Sequence, residues 1–104
     1  MPTIFLEVVM NAAEFAEVFS GRDEVEDPLH ELLTGSGLGE VTGGGSGSGV
    51  VVLDLEIEGE EITPTILHAI RQLLREIGVP KSTFIRRPRP TINVYPVYDD
   101  VHSK

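Results

Sequence analysis

Along residues 50–58 (VVVLDLEIE) apolar and polar positions alternate with period two, the signature of a strand half-buried in a sheet. Val51, Leu53, Leu55 and Ile57 fall on one face, and Val52, Asp54, Glu56 and Glu58 on the other. This predicts a sheet with one buried surface and one wet, negative surface. A looser alternation runs through residues 3–10 (TIFLEVVM), with Ile4, Leu6, Val8 and Met10 opposed to Phe5, Glu7 and Val9. Its β-branched and aromatic residues also favour a strand. Past residue 63 the period becomes helical: Ile66, Leu67, Ile70, Leu73, Leu74 and Ile77 recur on one side. Thr63 is placed to cap that helix, Pro64 to start it, Gly78 to end it, and Pro80 to prevent its continuation.

Weaker signals fill the gaps. Asn11 with Glu14 forms a capping pair for a short helix carrying Phe15, Val18 and Phe19, closed by Gly21. Residues 22–26 (RDEVE) read as an exposed loop, too polar to bury. Asp27 and Pro28 then open a second short helix with Leu29, Leu32 and Leu33 inward and Gly35 at its end. Residues 38–42 are expected as a short edge strand, and residues 43–49 as a flexible glycine-rich hairpin loop. The segment 83–98 is extended but broken by Pro88, Pro90 and Pro96, so it lies at a sheet edge or leaves the sheet and rejoins it, anchored by Ile92, Val94 and Val97. The expected fold is α+β: one domain over residues 1–104 with a polar C-terminal tail. Its pattern is a ferredoxin-like β-α-β-β-α-β sandwich, an antiparallel sheet with helices on one face and the first and third strands adjacent.

Charge adds asymmetry. The net charge is −9, but residues 1–61 hold fourteen acids against one base, and residues 62–104 hold three acids against seven bases. A surface of this sign repels phosphates and steers basic partners inward, so nucleic acid is not an expected partner. Absence of cysteine removes disulfides and thiolate metal sites. No apolar run has the length of a membrane span, and Met1-Pro2-Thr3 reads as a native cytoplasmic start.

Four groups of residues bear on function. Glu7, Asp54, Glu56 and Glu58 form a carboxylate strip if the two strands pair, suited to a basic partner; taken alone, a plain solvated face is the simpler explanation of them. Asp23, Glu24, Glu26 and Asp27 extend that acidity in the expected loop. The run Gly43, Gly44, Gly45, Ser46, Gly47, Ser48 offers backbone N–H groups to an anion, although it precedes a strand and lacks the ending of a phosphate loop. His30, His68 and His102 lack metal-pair spacing and stand in no nucleophile motif; no metal ligand, catalytic residue or cofactor is assigned. Arg86-Arg87-Pro88-Arg89 reads as a salt-bridged edge rather than a nucleic acid footprint, and Tyr95 and Tyr98 as packing over that edge.

The glycine run GEVTGGGSGSG, the acidic strand behind it and the helix ending in LREIGVPKSTFI resemble a group of small acidic bacterial proteins of unassigned function. In size, acidity and lack of cysteine the chain is also similar to immunity proteins that accompany polymorphic toxins. That resemblance implies a domain acting by binding another protein, and brings no catalytic residues with it. The expected function is a protein-binding module, an acidic inhibitor or immunity-type protein docking on a basic partner. The alternative is a small-ligand or anion-binding regulatory domain acting as a homodimer.

Overall fold

The computed structural model describes residues 2–89 and 91–98. Pro90 and the tail from Asp99 onward, with His102, lie outside the described residues. Eight elements follow in order: β1 (Thr3–Asn11), α1 (Ala12–Val18), α2 (Asp23–Gly35), β2 (Gly39–Gly47), β3 (Val50–Glu58), α3 (Pro64–Ile77), β4 (Phe84–Arg87) and β5 (Asn93–Pro96). The strands form one five-stranded sheet in the order β2-β3-β1-β4-β5, antiparallel at every pairing. The fold is α+β with three helices. A fifth strand sets it apart from the six-element order that the sequence suggests, and the two expected short helices, α1 and α2, together stand where that order has one.

The alternation in β1 and β3 does what its period dictates. Ile4, Leu6, Val8 and Met10 are buried with Val51, Leu53, Leu55 and Ile57, and the helices bring Val25, Leu29, Leu33, Ile70 and Leu74 against them. Six of the eight strand positions are 0% exposed. Each such side chain stabilises the fold by roughly 2 kcal/mol relative to an exposed one. Helix α3 has the ends its sequence predicts. The Thr63 hydroxyl accepts from the Ile66 N–H at 3.2 Å, and Gly78 closes the helix in the left-handed conformation at φ 91°. Asn11 caps α1 through the Glu14 N–H at 2.9 Å, but that helix ends at Val18, ahead of Gly21.

Two expectations are corrected. Residues 23–26 are the first turn of α2, not a loop, and Pro28 lies inside the helix. The apolar stripe of α2 reaches back to Val25, which is fully buried. Asp23, Glu24 and Glu26 sit where the helix N-terminus favours negative charge. Glu24 also folds back to accept the N–H groups of Ser20 at 2.7 Å and Gly21 at 3.2 Å. These gains outweigh the one backbone hydrogen bond that Pro28 forgoes.

The second correction concerns the glycines. The expected loop 43–49 is strand as far as Gly47, paired residue by residue with β3, and only Ser48 and Gly49 form the turn. Their φ values of 53° and 81° are both positive, as a two-residue turn between twisted strands requires. Partway along β2 the register shifts between Val41 and Gly43, so Thr42 is the extra residue of a bulge.

Candidate functional site

The helices cover one side of the sheet, so the other side carries the alternate residues of each strand. Register places these in cross-strand rows. Gly45, Val52, Val9, Phe84 and Pro96 make an apolar row. The next row runs Gly43, Asp54, Glu7, Arg86, Val94, and the one after it Glu40, Glu56, Phe5. Thr3 and Glu58 follow at the end of the sheet. The strip expected from sequence is therefore assembled: Glu7, Asp54, Glu56 and Glu58 share one face, with Phe5, Val9 and Val52 beside them.

Glu40 joins the four, and the sequence reading missed it. Strict alternation back from the Ser48–Gly49 turn would put Glu40 opposite Ile57, facing the core. The bulge moves it one place, opposite Glu56 on the open face. A serine-glycine pair between extended runs is the signal that locates the turn and hence most of the register; the bulge itself leaves no mark in the sequence.

The electrostatics of this face are unbalanced. Glu40 stands directly across from Glu56 and Glu7 across from Asp54, and like charges so placed lower the stability of a sheet. Glu7 has an answer: the Arg86 guanidinium meets its carboxylate at 2.6 Å, with Arg86 Nε donating to the same oxygen at 2.7 Å. Among the described residues, Glu40, Asp54, Glu56 and Glu58 make no ion pair. The segment after β4 bends over the face, and Arg89 lies 5.6 Å from the centre of the Phe5 ring. Between that segment and the strands runs a groove of about 240 Å³, lined by Phe5, Glu7, Thr42, Asp54, Pro88 and Arg89 among others.

The acids of α2 belong elsewhere. They lie at the N-terminus of a helix on the covered side of the sheet, so the two halves of the expected partner surface are not brought together. Glu24 is occupied as a cap, and Glu26 accepts from Arg22 at 3.2 Å. Asp23 and Asp27 are exposed.

The other candidates also find their places. Gly43, Gly44, Gly45 and Gly47, with Ser46, are ladder residues and not a concave anion cradle. His30 is half-buried on α2, where its Nδ1 accepts the Val41 N–H at 3.2 Å; His68 is exposed on α3. Among the described residues no group of three or more histidines and carboxylates is arranged to hold a metal, and no helix is long and apolar enough to cross a membrane. No protein-family model, curated protein or solved structure matches the chain.

Proposed function

We propose that this chain is a protein-binding module whose open sheet face docks on a basic partner, in the manner of an acidic inhibitor or immunity-type protein. The observation that carries the reading is the opposition of Glu40 to Glu56 and of Glu7 to Asp54, with Arg86 answering only one of the four. A fold that tolerates uncompensated like-charge pairs gains most from a partner that supplies the missing cations. Negative potential on a broad face also speeds encounter with such a partner at low salt. Docking would then lay the partner's lysines and arginines over Asp54 and Glu56, where its own anionic substrate would otherwise bind. In topology we read the domain as a ferredoxin-like sandwich extended by β5.

The anion-binding alternative loses its support because the glycines lie in an extended edge strand, where the unpaired amides are spread along a line and do not converge on one point. A homodimer formed face to face would set Glu40, Asp54 and Glu56 of two copies against each other, which disfavours that arrangement too. The test is charge reversal. Basic proteins captured at low salt by the wild-type chain serve as probes, and the Asp54→Lys/Glu56→Lys double variant should associate with them at least tenfold more slowly, with a flattened salt dependence. Association rates that do not change remove this reading.

A further inference from the structure

The outer edge of β2 is open, and its glycines are of two kinds. Gly44 is required by the fold, since a Cβ there would stand 2.5 Å from the Val52 carbonyl oxygen. Gly43 and Gly45 are not. Neither has a backbone that only glycine adopts; a Cβ at Gly45 meets nothing within 4 Å, and one at Gly43 meets only the Asp54 carboxylate, at an ordinary 3.7 Å. Glycine inside a strand weakens it, so these two positions give up stability with no return in packing. What they do is clear the surface between the sheet edge and β3. Asp54 leans over the bare Gly43 towards that edge, and Val52 stands behind Gly45.

We infer that the free edge of β2 at Gly43–Gly47 accepts an extended segment of the basic partner as a sixth strand. An arginine or lysine of that segment would cross Gly43 to reach Asp54. This rests on the docking reading above and specifies its partner. Alternate amides and carbonyls of an edge strand face outward and can pair with an incoming backbone, while alternate side chains set specificity. Two ladder spacings separate the guest from β3, roughly 10 Å, a span that an arginine and an aspartate close by extending towards each other. The rows dictate the guest's pattern. Beside Gly43 its residue enters the row of Asp54 and Glu7 and is cationic; two positions on, beside Gly45, it enters the row of Val52, Val9 and Phe84 and is apolar. At the near end, His30 already occupies the outward Val41 N–H, so the guest is confined to the glycine stretch.

The probe is a capped peptide of alternating threonine with arginine and valine on its other face. Two further versions carry N-methyl groups on one or the other set of alternate amides. The parent peptide should shift and protect the backbone amides of Gly43–Gly47 in NMR spectra. N-methylation in one register should weaken binding tenfold or more, and in the other register little. Gly43→Val should also weaken binding of the arginine peptide by tenfold or more, without altering the spectrum of the core. If both N-methylated peptides bind as the parent does, while Asp54→Lys/Glu56→Lys abolishes binding, strand addition is overturned and the acidic face stands. If neither the charge variant nor N-methylation affects the peptide, or if the peptide does not bind, both are overturned.

Discussion

The two edges of the sheet are built on opposite plans. β5 is four residues long, ends in Pro96 and is tied down beyond it, where Arg75 donates to the Val97 carbonyl at 2.7 Å and the Tyr98 hydroxyl to that of Val79 at 2.5 Å. Short length, proline and side-chain anchors are the devices by which an edge avoids pairing with other chains. β2 spans nine residues, and from Gly43 to Gly47 carries neither a charge nor a proline. Closing one edge costs the protein nothing that the other would not also tolerate, since Gly45 has room for a side chain. At Gly43 and Gly45 the bareness of β2 is not imposed by the fold, whereas at Gly44 it is.

The largest expected effect bears on that contrast directly. Gly44→Val drives a side chain into the Val52 carbonyl and should cost about 2–3 kcal/mol in urea unfolding, with strain and unpairing of β2 as the cause. Gly45→Val, one residue away, should be neutral or raise stability by about 0.5 kcal/mol, because a β-branched residue suits an open strand position. Equal losses at both positions would mean that the whole run is structural, and the contrast between the edges would go.

A middle-sized effect belongs to the closed edge. Tyr98→Phe removes the hydroxyl that pins the end of β5 to Val79 and should cost about 1 kcal/mol. The same residue gives a pH dependence. Burial raises the Tyr98 pKa above 10.0, more than the nearby Arg75 charge lowers it. The folded protein thus holds the phenol proton more tightly than the unfolded chain. Stability linked to it is complete below pH 10.0, falls as the pH rises from there through the higher folded value, and does not return. Alkaline unfolding followed by circular dichroism should show a smaller decline for the phenylalanine variant.

Smallest is Arg86→Gln. The pair with Glu7 is partly exposed, so its loss should change stability by about 0–1 kcal/mol. The open face, however, gains net negative charge, and association with a basic partner at low salt should become faster. A slower rate would show that Arg86 itself contacts the partner.

How far the sequence led can be seen in three elements. β1, β3 and α3 were legible because burial on a single side writes its period into the chain, and the caps at Thr63 and Gly78 agree with it. α2 was misread by five residues: the charges around Val25 looked solvated, when three of them serve a helix N-terminus and only one apolar position reveals the turn. The glycine run was misread as a loop because glycine carries no side chain through which a strand can show its alternation. The strip of Glu7, Asp54, Glu56 and Glu58 followed from pairing two legible strands. Glu40 depended on an irregular pairing that single-residue patterns do not encode.

That irregularity at Thr42 works as a phase shifter. Upstream of it the odd-numbered residues of β2 turn to the core, and Val41 and Gly39 stand opposite Leu55 and Ile57; downstream, it is the even-numbered ones. Deleting this one threonine would join Val41 to Gly43 in a regular ladder and leave both destinations as they are; pairing the threonine itself opposite Leu55 is what would send a carboxylate inward and a valine out to water. A lineage that lost a residue here would give up the local bend and keep both the grease beneath the hairpin and the charge above it.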